Sequence, residues 1–389
     1  MNAHRTSVYL LVAAVIGLIV LGLVMMSSTS PYAPESIKAG VPMFLLNQQA
    51  KWLAAGVVLC ALAAALDYHL LQRTWGLWFG IAFVLLVCCF VPHLGHKING
   101  SRRWIRLGLQ FQPSEFAKLA AVVALAWWFS REKNYEREFV RGFLAPLGLA
   151  GALMALIAPE VDMGTTALIG GTTFVLMFIA GTRLRYLALA VSLGAAAMAF
   201  AIYLLPERTG RCLAYLDPAK YPKDSYQTVQ GLIALGSGGV DGLGLGMGRQ
   251  KMMYLPFAYT DFIFPVIGEE LGLRWTLAVV ATYLIFIFCG ATIALRARDR
   301  FGMLLGFGVT VLIALQAAVN IGVTTALLPN KGLPLPFVSY GGTNLVFCLI
   351  GVGILINIYR QGLNETDEKQ RAGTVLSARV RNAKRVVRL

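Results

Sequence analysis

The stretch Tyr254-Leu-Pro-Phe-Ala-Tyr-Thr-Asp-Phe-Ile-Phe264 marks the point where a glycine-rich polar segment runs into an apolar helix. Its single carboxylate, Asp261, stands at the mouth of a predicted membrane span. A charge at the edge of hydrocarbon is costly, so such a group needs a partner, a water-filled cavity or a chemical role. Asp261 is therefore the first candidate for a functional residue.

The composition around this stretch is typical of an integral membrane protein. Of the 389 residues, 57% are hydrophobic and 14% are charged, and the mean hydropathy is +0.67. Apolar runs of roughly 18 or more residues predict membrane spans. The sequence therefore predicts an all-α integral membrane protein with about ten transmembrane helices. The predicted spans are 8–28, 49–67, 75–92, 114–130, 141–158, 163–181, 186–206, 262–290, 301–327 and 343–360.

Basic residues in the short loops predict the orientation. With the N-terminus inside, the arginine-rich and lysine-rich loops at 131–141, 183–185 and 296–300 all lie on the inner side, as the positive-inside rule requires. An even number of spans then places both termini in the cytoplasm. A large extracytoplasmic loop, roughly 206–261, falls between the seventh and eighth helices.

The chain divides into one membrane domain, 1–361, and a basic tail, 362–389. We expect the tail to be disordered and to lie on anionic membrane lipid or to contact a partner protein. The high net charge of +15 mostly reflects topology, so nucleic acid is not an expected partner.

Two outer segments carry cations against the orientation rule. The first is Asn99-Gly-Ser-Arg-Arg-Trp-Ile-Arg106, where a bound anion and contact with lipid headgroups, anchored by Trp104, are equally open interpretations. The second is the large outer loop, which includes Arg249 and Lys251. Its glycine-rich stretch 236–248 lacks the ending of a phosphate-binding loop, which leaves a flexible linker or a functional loop.

Polar pairs also occur within the predicted spans. Glu115 and Lys118, three residues apart on one helix face, either neutralise each other or line a wet cavity. Gln316 and Asn320, four residues apart, predict hydrogen bonds between helices.

Further signals flank the predicted eighth and ninth spans. Helical spacing from Asp261 predicts that at most one of Glu269 and Glu270 shares its face. The stretch 328–342 holds three prolines and three glycines, which predicts an irregular segment at the outer face, with Lys331 as another cation. One carboxylate, many cations and an apolar bundle suit a lipid-linked ligand that carries phosphate and approaches from outside.

In their order along the chain, these segments resemble the shape, elongation, division and sporulation (SEDS) family of peptidoglycan glycosyltransferases. Each motif alone is weak, but the ordered set covers almost the whole length. The matching stretches include Asn99-Gly-Ser-Arg-Arg-Trp-Ile105, Gln112-Pro-Ser-Glu-Phe-Ala-Lys118, Asp162-Met-Gly-Thr165, Thr260-Asp-Phe-Ile-Phe264, Ile267-Gly-Glu-Glu-Leu-Gly272 and Ser339-Tyr-Gly-Gly342. The run Gln316-Ala-Ala-Val-Asn320 is more similar to the division branch than to the elongation branch.

The resemblance implies ten spans and the polymerisation of lipid II into glycan strands at the outer face of the bacterial inner membrane. It implies a class B penicillin-binding protein as partner, together with other division or elongation proteins. By position, Asp261 matches the catalytic aspartate. The candidate substrate-binding residues are Arg103, Trp104, Glu115, Lys118, Arg249, Lys251, Lys331 and Ser339, and the candidate structural polar residues are Gln316, Asn320, Glu269 and Glu270.

Three positions depart from the family pattern. Phe257 and Tyr259 stand where the family usually has Glu and His, and Val161 stands where it has Pro. These departures leave the rate and the dependence on a partner open.

The expected chemistry is glycosyl transfer with inversion, in which Asp261 acts as general base on the acceptor hydroxyl. A single base fits because a diphosphate leaving group needs no acid, unlike the paired carboxylates of glycosidases. A Mg²⁺ or Mn²⁺ ion that bridges Asp261 and the diphosphate is left open, and no organic cofactor is expected. The alternatives are a lipid II flippase and a non-catalytic division scaffold. The departures at Phe257 and Tyr259 are the best support for the scaffold, whereas the intact Asp261 favours an active enzyme.

Overall fold

The structure is a computed structural model that describes residues 3–91, 94–98, 101–107, 109–131, 137–160, 162–204 and 206–363. Apart from residues 362 and 363, the predicted basic tail lies outside these residues.

Helices dominate the described chain, and each of the ten predicted spans overlaps one of them. They are α1 (Ala3–Thr29), α2 (Pro34–Ala39), α3 (Phe44–Ala65), α4 (His69–Arg73), α5 (Trp75–Cys88), α6 (Pro113–Ser130), α7 (Ala145–Ile157), α8 (Met163–Ala180), α9 (Leu184–Leu204), α10 (Pro206–Leu216), α11 (Pro222–Gly238), α12 (Ile263–Leu295), α13 (Arg300–Thr324) and α14 (Gly342–Leu363). Within the described residues, seven helical runs are long and apolar enough to cross a membrane, and α5 and part of α9 are shorter apolar helices. The prediction of an all-helical membrane fold is confirmed.

One small sheet accompanies the helices and was not predicted. Its strands β1 (Gly95–Ile98), β2 (Ser101–Leu107) and β3 (Leu109–Phe111) are antiparallel in the order β1-β2-β3. Ile105 is paired with Gly95 on one side and with Phe111 on the other. Strands of three to seven residues carry too little periodic pattern to stand out beside the spans.

The centre of the bundle is α6, which is buried along almost its whole length. Small side chains such as Ala117, Ala120 and Ala124 let α5, α7, α8 and α13 pack closely around it. The approach of α13 is so close that a methyl group at Gly308 would overlap Val122 of α6. The membrane domain is therefore built around α6 as a closely packed central helix.

The large loop predicted at 206–261 contains α10 and α11 and then the glycine segment, residues 236–248. Together with residues 30–43 and 325–341, it forms what we call the Asp261 end of the bundle. Tyr215 donates a hydrogen bond to the carbonyl of Leu327 (3.0 Å), and Asn330 donates one to Gln227 (2.9 Å). The loop is therefore joined to the segment that precedes α14.

The glycine segment is fixed by a break in α12. At Gly272 the backbone has φ 80° and ψ −176°, so the helix is interrupted between residues 271 and 273. The carbonyls of Glu269 and Glu270 accept hydrogen bonds from the amides of Leu243 and Gly244, both at 2.9 Å. Because these backbone polar groups would otherwise lack helical partners, the contact satisfies them. The flexible-linker interpretation of the glycine segment is therefore wrong.

The position of Asp261 relative to α12 also corrects a prediction. The helix begins at Ile263, so Asp261 lies in the preceding turn and helical spacing does not relate it to Glu269 or Glu270. Both glutamates are buried, with 2% and 0% of their surface exposed, and both face the glycine segment.

Replacement of Gly272 by Ala tests the break. A Cβ there would overlap the carbonyl of Val240 and the amide of Gly242, and the positive φ adds strain. We expect Gly272→Ala to lower the free energy of unfolding by about 2 kcal/mol or more, measured by thermal unfolding in detergent. The control is Gly236→Ala in α11, where nothing lies within 4 Å of the added methyl group. Equal stability of the two variants would contradict the role of the break.

Candidate active site

Asp261 lies half-buried in the turn before α12, at the Asp261 end of the bundle. Its main-chain carbonyl accepts a hydrogen bond from the side-chain amide of Asn320 (2.7 Å), and the same amide donates to the carbonyl of Leu333 (2.6 Å). Asn320 is 1% exposed, so α13 holds two irregular segments together from within the bundle. The predicted bond from Asn320 to another helix is wrong; its partners are loop carbonyls.

Gly332 lies against the Asp261 carboxylate. A Cβ at this position would overlap Oδ2 of Asp261, although Gly332 itself is exposed. A side chain at position 332 would therefore push the carboxylate out of its present place. Lys331 directly precedes Gly332 in the chain and is half-buried.

Arg103 and Asp162 provide the charges that act on Asp261. Burial raises the pKa of Asp261 to about 6, with the positive charge of Arg103 opposing the rise and the negative charge of Asp162 adding to it. Nε of Arg103 is buried and makes no hydrogen bond within the described part of the chain. This arrangement combines a carboxyl group that titrates near neutral pH with a guanidinium that can donate to an anion.

Trp104 follows Arg103 on β2 and is half-buried. Because successive side chains of a strand point to opposite faces, Trp104 points away from the face that carries Arg103. Arg103 and Trp104 therefore do not contact the same group of a ligand.

Asp162 is held in place at the N-terminus of α8. It accepts hydrogen bonds from the amide and hydroxyl of Thr165 (3.0 and 2.8 Å), and from Ser114 and Gln112 (both 3.2 Å). The sequence places Asp162 in the stretch Asp162-Met-Gly-Thr165 but does not predict it as a site residue. Its charge near Asp261 emerges only when the start of α8 meets the start of α6.

Lys251 does not face a ligand. Its ammonium group donates to Oε1 of Glu270 (2.6 Å), to the carbonyl of Gly246 (2.8 Å) and to the hydroxyl of Ser28 (2.6 Å). The side chains of Lys251 and Glu270 are 1% and 0% exposed. The three hydrogens of the ammonium group are all used inside the protein, so the structure gives Lys251 an internal role and does not support the prediction that it binds substrate.

Glu269, like its neighbour Glu270, uses its carboxylate in hydrogen bonds to the outer loop. Its carboxylate accepts from the backbone amides of Arg249 (2.9 Å) and Gln250 (3.2 Å). The side chain of Arg249 is exposed, so it stays a candidate for ligand contact.

Ser339 is also structural. It is 4% exposed, donates to the carbonyl of Thr260 (2.5 Å) and accepts from the amide of Leu335 (2.8 Å). These bonds join the segment before α14 to the residue before Asp261. The prediction that Ser339 binds substrate therefore has no support from its contacts and stays a prediction from the sequence.

Glu115 and Lys118 form a buried ion pair of 2.9 Å, and each is 3% exposed. Lys118 also donates to Gln316 of α13 (2.7 Å), and Asn344 of α14 donates to Glu115 (2.8 Å). The predicted hydrogen bond between helices is confirmed for Gln316. The interpretation of mutual neutralisation fits both charged residues. Direct substrate binding by either residue stays a prediction from the sequence, and their pairing inside the bundle does not support it. A cavity of about 20 Å³, large enough for one water molecule, adjoins the pair.

No group of three or more His, Cys, Asp or Glu side chains that could hold a metal ion occurs in the described ranges. Asp162 uses its oxygens in hydrogen bonds, which leaves Asp261 as the accessible carboxylate beside Arg103. This set does not fit a resident divalent cation, whose binding normally takes several oxygen ligands.

Comparison with known proteins agrees with the resemblance found in the sequence. Residues 9–363 match the FtsW/RodA/SpoVE family, described as "Cell cycle protein". The probable peptidoglycan glycosyltransferase FtsW of Geobacter metallireducens is 38% identical over 345 residues, which cover 87% of this chain and 90% of that protein.

Two solved structures share the fold. A chain from a structure described as "Structural coordination of polymerization and crosslinking by a peptidoglycan synthase complex" has a TM-score of 0.76 and 28% identity, and the match covers 90% of this chain and 97% of that chain. The rod shape determining protein RodA of Thermus thermophilus has a TM-score of 0.66 and 28% identity, with coverage of 90% and 95%.

The raised pKa of Asp261 predicts a pH-dependent effect on stability. The carboxyl holds its proton more tightly in the folded state, so the associated stability is complete below the unfolded pKa, about 3.9, and is lost as the pH rises through about 6. We expect Asp261→Asn, which stays neutral, to be more stable than the unaltered protein at pH 8 by about 1 kcal/mol, after a discount for partial exposure. The difference should close near pH 4, as measured by thermal unfolding.

The matched control is Asp241→Asn, which removes an exposed carboxylate of the same outer loop. It should change stability little at either pH, because exposed ion pairs contribute little. A stability difference for Asp261→Asn that stays constant between the two pH values would contradict the raised pKa.

Proposed function

The chain belongs to the FtsW/RodA/SpoVE family of cell-cycle proteins, and on this basis we propose that it is a peptidoglycan glycosyltransferase that polymerises lipid II. The observation that carries the proposal is the juxtaposition of a half-buried Asp261, with its pKa raised to about 6, and the unpaired Nε of Arg103. A base that titrates near the operating pH and a donor for an anion are the two groups that this transfer needs.

The Asp261 end of the bundle is proposed to face outward from the bacterial inner membrane. The positive-inside bias of the loops at 131–141, 183–185 and 296–300 supports this orientation, with both termini in the cytoplasm. The donor and acceptor, both linked to lipid diphosphates, then reach the site from the outer leaflet.

In the proposed reaction, the growing glycan on its lipid diphosphate is the donor and lipid II is the acceptor. Asp261 takes the proton from the attacking sugar hydroxyl, whose oxygen forms a bond to the anomeric carbon of the donor. The bond from that carbon to the diphosphate oxygen breaks, and the leaving diphosphate keeps the electron pair. Attack opposite to the leaving group inverts the anomeric centre.

The leaving diphosphate is proposed to be stabilised by Arg103, with Lys331 and the exposed Arg249 as further donors. A well-placed donor to a developing anion contributes about 2–4 kcal/mol to lowering the barrier. Lys251, Glu115 and Lys118 are left out of this role because their charges are used inside the protein.

A Mg²⁺ or Mn²⁺ ion at Asp261 stays a prediction from the sequence. The described residues do not fit a resident cation, so no step of the mechanism is assigned to one.

We also propose a class B penicillin-binding protein as partner, alongside other division proteins. A structurally similar chain belongs to a peptidoglycan synthase complex that coordinates polymerisation with crosslinking. This similarity supports a complex between the present chain and a crosslinking enzyme. The similarity to an FtsW protein supports a role in division rather than elongation.

The alternatives receive less support. A flippase would need charged groups available along a path through the bundle, but the charges of Glu115, Lys118, Lys251 and Glu270 are paired and buried. A non-catalytic scaffold would not need a carboxylate with a raised pKa beside an arginine.

The central test of the activity is Asp261→Ala. With its partner and fluorescent lipid II, the unaltered purified protein should form a ladder of glycan strands, and the variant should form none although it unfolds at no lower temperature. The matched control, Asp241→Ala, removes an exposed carboxylate of the same loop and should retain the ladder. Full activity of Asp261→Ala would exclude Asp261 as the base, and translocation without polymer would favour the flippase.

A further inference from the structure

Tyr259 joins three segments at the Asp261 end of the bundle. It lies two residues before Asp261 and is 9% exposed. Its hydroxyl donates to Oε2 of Glu35 on α2 (2.8 Å), and its carbonyl accepts from the amide of Tyr340 (2.9 Å). The rings of Tyr259 and Tyr340 meet edge to face, with centroids 6.2 Å apart. Tyr259 is thus a junction between α2, the Asp261 turn and the segment before α14.

The partner of Tyr259 is exposed but sits on a well-anchored element. Glu35 lies in the first turn of α2, which ends at Gly40 with φ 64°. Ser30, just before α2, is fully buried; its hydroxyl donates to the carbonyl of Pro42 (2.8 Å) and lies 3.3 Å from the hydroxyl of Ser36. Because α2 is tied to the chain on both sides, the carboxylate of Glu35 has a defined place.

The segment before α2 makes a second contact with the outer loop. The ammonium group of Lys251 lies 5.5 Å from the centre of the Tyr32 ring, a distance at which a cation and an aromatic face attract each other. The stretch from Lys251 to Asp261 is therefore held at both ends by residues 30–39. Between these ends, Met253 and Phe257 have positive φ angles of 70° and 56°, so the stretch is not in a relaxed conformation.

The phenol hydroxyl of Tyr259 stays protonated, so it can always donate its hydrogen bond to Glu35. Burial raises its pKa above the ordinary value, and the hydrogen bond to Glu35 raises it further, so the hydroxyl keeps its proton. The hydroxyl is available to Glu35 only while Tyr259, and with it the Asp261 turn, keeps its present position.

We propose that the hydrogen bond between Tyr259 and Glu35 positions Asp261 for catalysis, so that α2 sets the geometry of the base. This inference rests on the proposed function. Both residues act through Asp261, so they are positioning residues rather than catalytic ones.

The test compares Tyr259→Phe, which removes the hydroxyl, with Glu35→Ala, which removes the acceptor, and Glu35→Gln, which keeps an acceptor oxygen. Tyr254→Phe is the matched control, since Tyr254 is an exposed tyrosine of the same loop (58% exposed). Rates with lipid II are measured in the complex with the penicillin-binding protein, and amide hydrogen exchange of residues 257–262 is measured on the same samples.

We expect Tyr259→Phe and Glu35→Ala each to lower kcat about tenfold with KM unchanged, because a small misplacement of a reacting group is costly. Glu35→Gln and Tyr254→Phe should keep most of the rate, and the double variant Tyr259→Phe/Glu35→Ala should be no slower than either single one. Exchange at 257–262 should rise in Tyr259→Phe and stay unchanged in Tyr254→Phe.

An unchanged kcat in Tyr259→Phe, or additive losses in the double variant, would overturn the positioning role. If the unaltered protein makes no glycan, the proposed function fails, and the exchange measurement alone decides whether Glu35 fixes the Asp261 turn. Faster exchange in Tyr259→Phe then supports the coupling, and unchanged exchange overturns it.

Discussion

The buried ion pair between Lys251 and Glu270 is the interaction on which the Asp261 end of the bundle depends. Charges with almost no exposed surface are stable only when each is paired and hydrogen-bonded, and here the ammonium group reaches Glu270, Ser28 and a carbonyl of the glycine segment at once. The pair connects α1, the outer loop and the broken helix α12. Because Lys251 lies ten residues before Asp261, it fixes one end of the stretch that carries the carboxylate.

Other polar side chains near the site also form hydrogen bonds within the protein, which leaves only some polar groups able to contact a ligand. Asn320 and Ser339 use their hydrogen bonds to hold the segments around Asp261, while Glu115 and Lys118 use theirs to hold α6, α13 and α14 together. The Asp261 carboxylate and the guanidinium of Arg103 stay available to a ligand, as does the exposed side chain of Arg249. A rigid apolar bundle thus presents a small reactive edge, which suits a substrate whose lipid tail stays in the membrane.

Sequence alone predicted the spans and Asp261, because long apolar runs and a lone carboxylate at their edge are local features. It did not separate substrate contacts from internal ones. Lys251 and Ser339 are predicted to bind ligand, yet their contacts with Glu270 and Thr260, which are remote along the chain, appear only in the fold. The helical spacing applied to Glu269 and Glu270 failed because α12 begins after Asp261. The contact of Gly332 with the Asp261 carboxylate could not be predicted from the sequence either, because the two residues are 71 positions apart and meet only in the fold.

The most direct test of this account is a double-mutant cycle on the free energy of unfolding, with Lys251→Met, Glu270→Leu and the combined variant. Removal of either partner leaves an unpaired buried charge, so each single variant should lose about 3–5 kcal/mol. The combined variant should lose no more than either single one, because it leaves no unpaired charge. Losses that simply add would mean that the two side chains act independently, and would contradict the claim that this pair holds the outer loop in place.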